Sequence, residues 1–276
     1  MIYDRLKMRG QENFKKIYKE FQDIPFTHER IGGSLNKLTA YNMIVADGRF
    51  NEYIIPYRPL DNLDALLKFL ELYGKVIVKL VSGSYGQSII LVEQYNDYYK
   101  LSEGQKSVLA NKHDFLAFIN KLVKNGQFVV QQYIKSRTLA NAPFDIRVRL
   151  VKNREGKWTI VKIYPRVGDI NAIATNIASG AAMKEWDIFF KNNFPHEDFE
   201  KTNQRLQKFS IEFSRCFQEM IKDNLDDIGL DIAIDSNMKF WLIEVNVNRV
   251  ATSFIEFEVA EHAIPYAVSL VRKRYK

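Results

Sequence analysis

Three groups of residues in this chain have the types and spacing to do chemistry. The first is Lys79 followed by Ser82-Gly83-Ser84-Tyr85-Gly86-Gln87-Ser88. Glycines let backbone N–H groups approach phosphate oxygens closely, and Ser84 and Ser88 add hydroxyl donors. The second group is the run from Gly229 to Asn246, in which Asp231, Glu244 and Asn246 fall on polar positions of two alternating segments. Two carboxylates and an amide are oxygen ligands of the kind that hold Mg²⁺ while phosphates and water complete its shell. The third is basic: Asp145-Ile146-Arg147, then Arg149, then Arg166, then Thr175-Asn176-Ile177-Ala178-Ser179-Gly180. Arginines on successive strands near a Ser-Gly turn can clamp an anion bidentately, with Asp145 orienting one of them.

Each group has a plainer explanation that the spacing alone leaves open: a polar hairpin turn beside a surface lysine, a solvated face of an amphipathic hairpin, and a surface charge ladder. The elements around the groups narrow the choice. Val76–Val81 and Ile89–Val92 are β-branched or apolar runs on either side of the glycine loop, so the loop joins strand to strand. Walker and Rossmann phosphate loops lead from strand into helix, which excludes both; a hairpin flap over a nucleotide and a plain polar turn remain. In the second group, a two-residue turn at Ser236-Asn237 sets Asp231 opposite Leu242. Asp231, Glu244 and Asn246 then share one face, while Leu230, Ile232, Ile234, Trp241, Ile243 and Val245 form the buried one.

Leu63, Leu66, Leu67 and Leu70 behind Asp61-Asn62 predict a helix ended by Gly74. Further helices are expected near 4–21, 112–124 and 203–222, a strand at 128–133, and a hairpin pairing 146–150 with 158–164. The order gives an α+β fold with two lobes: a helical extension over 1–28, a small lobe over 29–135 and a larger one over 136–276.

The 276 residues, 46% hydrophobic and 26% charged, are enough to bury a core without staples. A single cysteine, Cys216, rules out an internal disulfide and a cysteine-rich zinc site. The four histidines have no metal spacing, and His28 and His196, near prolines, read as solvated. The first sixteen residues mix charges where a secretory signal needs an apolar run, and nowhere is there a span of roughly 18 to 20 apolar residues, so a cytoplasmic protein without membrane insertion is expected. The net charge of +7 favours polyanions in general; a nucleic-acid role rests on that charge alone.

Taken in chain order, Lys37, the loop region from Lys79 to Ile89, Val129–Ile134, Asp145–Arg147, Arg166, Thr175–Gly180, Gly229–Asp235 and Trp241–Asn246 resemble the ATP-grasp superfamily. Over roughly residues 29–265 the chain is similar to the YheC/YheD family of ATP-grasp proteins, associated in spore-forming bacteria with the endospore coat. The resemblance implies ATP and Mg²⁺ held between two α+β lobes. It also implies a carboxylate-amine ligase that forms an acyl phosphate and transfers the acyl group to an amine, on an acceptor that is a peptide or protein. Lys37 and Lys79 match the phosphate-contacting lysines, and Ser82, Gly83, Ser84 and Gly86 the phosphate loop. Gln131, Gln132, Tyr133 and Ile134 match the adenine connector. Asp231, Glu244 and Asn246 match the metal ligands, and Arg147, Arg166 and Asn176 the residues that stabilise the acyl phosphate.

The chain departs from the usual pattern at Leu80, at Gln131 in place of an acid, at Gly180-Ala181 in place of paired glycines, and after Asn246. By the resemblance, the methyl of Ala181 is expected to crowd an anion-binding turn. It motivates the rival expectation of a nucleotide-binding structural or coat-associated protein that makes no bond.

Overall fold

The computed structural model describes residues 1–4, 11–28, 35–82, 89–173, 175, 181–222, 224–247 and 255–274. Helices alternate with two antiparallel sheets in an α+β arrangement. After α1 (Lys15–Glu20) and α2 (Lys37–Asp47), the chain forms β1 (Tyr57–Pro59), α3 (Leu63–Tyr73), β2 (Lys75–Leu80), β3 (Ile89–Tyr95), β4 (Tyr98–Glu103), β5 (Lys106–Asn111), α4 (Lys112–Asn125) and β6 (Phe128–Gln132). It continues through β7 (Phe144–Lys152), β8 (Trp158–Val167), β9 (Ala182–Met183), α5 (Trp186–Asn193), α6 (Phe199–Ile221), β10 (Asp227–Ile234), β11 (Phe240–Asn246) and α7 (Glu256–Arg274). One sheet runs β1-β6-β2-β3-β4-β5, the other β11-β10-β7-β8-β9.

Side-chain caps set where several helices begin. Asn36, Asn62, Asn111 and Asp198 each accept a hydrogen bond from the amide three residues on, starting α2, α3, α4 and α6. Gly48 ends α2 with φ +86°, and Gly74 ends α3 with φ +69°, a conformation that a side chain resists. Helices α3 and α4 cover the six-stranded sheet through Leu66, Leu70, Phe115 and Ile119. Helix α6 lays Phe209, Phe213 and Phe217 on the five-stranded sheet, where each ring is worth about 2 to 3 kcal/mol of burial. Ala40 and Ile44 of α2 belong to that same core, so the chain touches the five-stranded sheet before it builds the other one.

The sequence-based elements are found with shifted ends among the described residues; of the helix expected near 4–21, α1 covers only 15–20, and residues 5–10 lie outside the described ones. The β4–β5 meander, α2, α5 and α7 are additional to them. Pro265 lies inside α7, and the basic Arg272-Lys273 continues that helix. His28 is a correction: it is 1% exposed, with Nδ1 3.0 Å from Asp226. Thr27 donates to the other oxygen of Asp226, so this carboxylate pins the N-terminal segment to the entry of β10. Among the described residues, no helix is long and apolar enough to cross a membrane.

Candidate functional site

One face of the five-stranded sheet collects the charged residues, because side chains two apart on a strand point the same way. Strand β7 supplies Asp145 and Arg147, β8 Arg166, β10 Asp231, and β11 Glu244 and Asn246. Across the sheet Arg147 stands opposite Asp231, Asp231 opposite Glu244, and Asp145 opposite Arg166.

The β10–β11 register differs from the sequence expectation in two steps. The Asp235 carboxylate accepts from the amides of Asn237 and Lys239 at 2.9 and 3.0 Å, which lengthens the turn to three residues with Met238 at φ 58°. Ile234 then pairs with Phe240 and Ile232 with Leu242, so Phe240 and Leu242 fill the core in place of Trp241 and Ile243. A bulge at Ile243 follows, and past it Asp231 pairs with Glu244. One extra residue in the turn and one in the bulge restore the side-chain alternation, so Glu244 and Asn246 share the face of Asp231 as expected.

Asp231 is 4% exposed and carries two guanidinium partners. Arg147 Nε and Nη2 bond to its two oxygens, the latter at 3.0 Å, and Arg166 Nη2 lies 3.1 Å from Oδ2. Burial alone pushes this carboxyl up, but the two arginines outweigh it and hold it below the ordinary carboxylate range. Asp145 grips Arg166 bidentately at 2.6 and 2.7 Å and accepts from the Thr175 hydroxyl. Buried, with one guanidinium that it shares with Asp231, it is pushed up. Asn246 Nδ2 sits 3.5 Å from Asp231 Oδ2.

Helix α2 brings the second sheet's lysine into this row. Its first residue, Lys37, has Nζ 3.4 Å from Glu244, and its amide donates to Val81 O just past β2. One turn on, the buried Tyr41 hydroxyl donates to Ile243 O at 2.5 Å and accepts from Lys79 Nζ at 2.9 Å. The bulge frees a carbonyl, and Tyr41 uses it to join the two sheets. Burial, with Glu244 adding to it, raises the tyrosine hydroxyl well above its usual range. Burial lowers Lys79 to about 8, against the upward pull of Glu244 and Asp231. Sequence reasoning missed Tyr41: an isolated tyrosine on a helix carries no motif, and its partners lie 38 and 202 residues away.

At the proposed adenine connector, Gln131 is buried in β6, with its side-chain amide beside the Tyr41 hydroxyl. The amides of Gln132 and Tyr133 bond to the carbonyls of Pro56 and Lys75, while the carbonyl of Ile134 accepts from Ser136. Ser82 is exposed at the end of β2. Gly83, Ser84, Gly86 and Asn176 lie outside the described residues.

The donor chemistry of Asp231, Glu244 and Asn246 suits Mg²⁺. Among the described residues no three His, Cys, Asp or Glu side chains converge on a metal position, so the Asn246 carbonyl is needed to complete the set. The positive charge beside these oxygens comes from Arg147, Arg166 and Lys37. With Lys79, four cations face three carboxylates, an excess that favours a polyanion.

A family model described as YheC/D like ATP-grasp matches residues 24–270. The chain is 26% identical over 266 residues to the endospore coat-associated protein YheD of Bacillus subtilis (strain 168), covering 89% of this chain and 56% of that protein. It is 24% identical over 287 residues to the endospore coat-associated protein YheC of the same strain, covering 99% and 77%. The chain thus spans little more than half the length of YheD. Among solved structures, the D-alanine–D-alanine ligase of Bacillus anthracis superposes with a TM-score of 0.56 at 12% identity, over 96% of this chain and 75% of that one, a likeness of fold.

Proposed function

The chain belongs to the YheC/D-like ATP-grasp family, and from that premise we propose that it binds Mg-ATP between its two sheets and joins a carboxylate to an amine. In this reading a carboxylate oxygen of the donor attacks the γ-phosphorus and ADP leaves. The amine nitrogen then attacks the acyl carbon, phosphate leaves, and the nitrogen gives up a proton. The nucleotide lies between a small lobe, residues 29–135, and a large one, residues 136–276. A peptide or protein is the acceptor.

The observation that carries the reading is the convergence of Lys37, Lys79, Arg147 and Arg166 on one row with Asp231 and Glu244. Phosphoryl transfer depends on positioning and charge neutralisation more than on a protein nucleophile, and these groups provide both. Arg147 and Arg166, held by Asp231 and Asp145, are placed to neutralise a transferring phosphoryl group and the acyl phosphate. Lys79, desolvated and bonded to a neutral hydroxyl, gains more from a phosphate than a solvated lysine does. Gln131, buried in β6, carries an amide that can hydrogen-bond adenine. Bound Mg²⁺ supplies charge neutralisation at the phosphates, with Asp231, Glu244 and Asn246 as its protein ligands.

The test is ADP formation from Mg-ATP with panels of amino acids and short peptides. Acceptor-dependent ADP release that disappears in Arg166→Ala supports ligation. ADP release that ignores every donor and acceptor refutes it.

A second reading, nucleotide binding without bond formation in a coat-associated role, is supported by the names of the two relatives and by the engagement of both Asp231 oxygens by arginines. It predicts Mg-dependent thermal stabilisation by ADP together with no acceptor-dependent turnover. Under either reading, synthesis in the cytoplasm with later association with the spore is the proposed location.

A further inference from the structure

Strand β9 covers β8 only at Arg166 and Val167, so the backbone from Thr159 to Ile163 is an outer edge that pairs with no described strand. That edge is the floor of a cleft of about 500 Å³. One wall is Trp186 at the start of α5 with Phe199 and Asn203 of α6, and Glu258 of α7 stands opposite. The Trp186 indole donates to Asn203 at 3.1 Å, which fixes this wall. A free strand edge is a template for another strand. The bulge at Val161 and the charge of Lys162 oppose flat sheet-to-sheet association.

The charge of the cleft is opposite to that of the protein. Its lining holds Glu185, Asp187 and Glu258 against one lysine, Lys162, which pairs with Glu185 at 3.1 Å. The chain as a whole carries +7. An acidic cleft on a basic protein selects cationic segments, while the like net charges of two whole copies, +7 each, oppose their association.

We propose that this cleft docks an extended segment of a partner polypeptide bearing lysine or arginine, which adds as a strand to the free edge of β8 and sets its basic side chains against Asp187 and Glu258. Main-chain pairing supplies affinity and the acids supply selectivity. The open edge is five residues long, about 17 Å of extended chain. Arg166 lies three residues beyond Ile163 on the same strand, about 10 Å further. Strand β9 closes the edge between the cleft and Arg166, so binding in the cleft needs no nucleotide.

The experiment uses fluorescein-labelled (Lys-Val)₄ on the full chain without nucleotide, read by polarisation and by hydrogen exchange. The controls are (Glu-Val)₄, which reverses the charge, and (Lys-Pro)₄, which keeps it but cannot pair as a strand. The expected result is saturable binding of (Lys-Val)₄ at least tenfold tighter than either control, with slowed exchange at 159–163. The double variant Asp187→Lys, Glu258→Lys weakens it at least tenfold and leaves the thermal midpoint within a degree. Equal binding of (Lys-Val)₄ and (Lys-Pro)₄, unchanged binding by the variant, exchange that does not change at 159–163, or no binding at all each overturn the proposal. So does a stable dimer by light scattering in which those amides are already protected, since the occupant is then a second copy.

Discussion

Replacing Lys79 by methionine should make the protein more stable and less able to hold a nucleotide. Lys79 is buried with its ammonium on the Tyr41 hydroxyl, and its pKa falls from 10.5 to about 8. At about 1.4 kcal/mol for each tenfold in proton affinity, keeping it charged at pH 7 costs about 3 kcal/mol. Methionine keeps most of the volume and removes the charge. It also removes one hydrogen bond, worth about 1 kcal/mol, while Tyr41 still donates to Ile243. The net gain is about 2 kcal/mol at pH 7.

The pH dependence follows from the depressed pKa. Below pH 8 the lysine is protonated in both folded and unfolded chains, and the cost is complete. Between about 8 and 10.5 the folded chain releases the proton that the unfolded chain retains, so the cost shrinks. By pH 9.5 it has fallen by about 2 kcal/mol, and the advantage of Lys79→Met is close to zero. Urea denaturation of both proteins at pH 7 and 9.5, with and without Mg-ADP, measures all of this. A variant less stable than the parent at pH 7, or a difference that does not change with pH, refutes the reasoning. Retention of the full Mg-ADP stabilisation removes Lys79 from the nucleotide site.

Asp231→Asn should abolish the magnesium-dependent part of the thermal shift given by ADP, and it leaves Arg147 and Arg166 short of an anion, costing about 3 kcal/mol by urea denaturation. Glu244→Gln should lose the same magnesium dependence at a smaller cost in stability, because Glu244 is more exposed and its lysine partner is 3.4 Å away. Tyr41→Phe keeps the ring but strands Lys79 Nζ and the Ile243 carbonyl; a loss of about 1 to 3 kcal/mol is expected, and a loss below 0.5 kcal/mol contradicts the bridging role. Phe213→Ala, in the fully buried core under the five-stranded sheet, should cost about 3 to 5 kcal/mol while any Mg-ADP shift keeps its size, which calorimetry can check.

Much of this arrangement is legible in the sequence because it is written in short-range alternation. The strands either side of the glycine loop, the helix that begins behind Asn62 and the acidic face of the last hairpin all follow from neighbours within a few residues. The register of that hairpin did not follow, because Asp235 captures two amides and makes the turn longer than Ser236-Asn237 suggests. The β4–β5 meander had its signals in Asn96-Asp97 and Gly104, where two positive φ angles close the turns, but its exposed Val108 and Leu109 blur the apolar pattern. What sequence could not show is long-range. Tyr41 meets Ile243, His28 meets Asp226, and α2 joins a core built mostly from residues more than a hundred positions later. A buried histidine and a solvated one look alike in a string of letters.

The turn at Asp235 and the bulge at Ile243 behave as a matched pair of insertions. Each alone reverses which side of β11 is wet; together they cancel. Anyone grafting a shorter turn onto this hairpin, or recombining it with a relative, has to delete or keep both. Ironing out the bulge by itself rotates Glu244 and Asn246 into the oily side and brings Val245 up among the arginines, a change of address for every residue beyond it without a change in a single letter of their sequence.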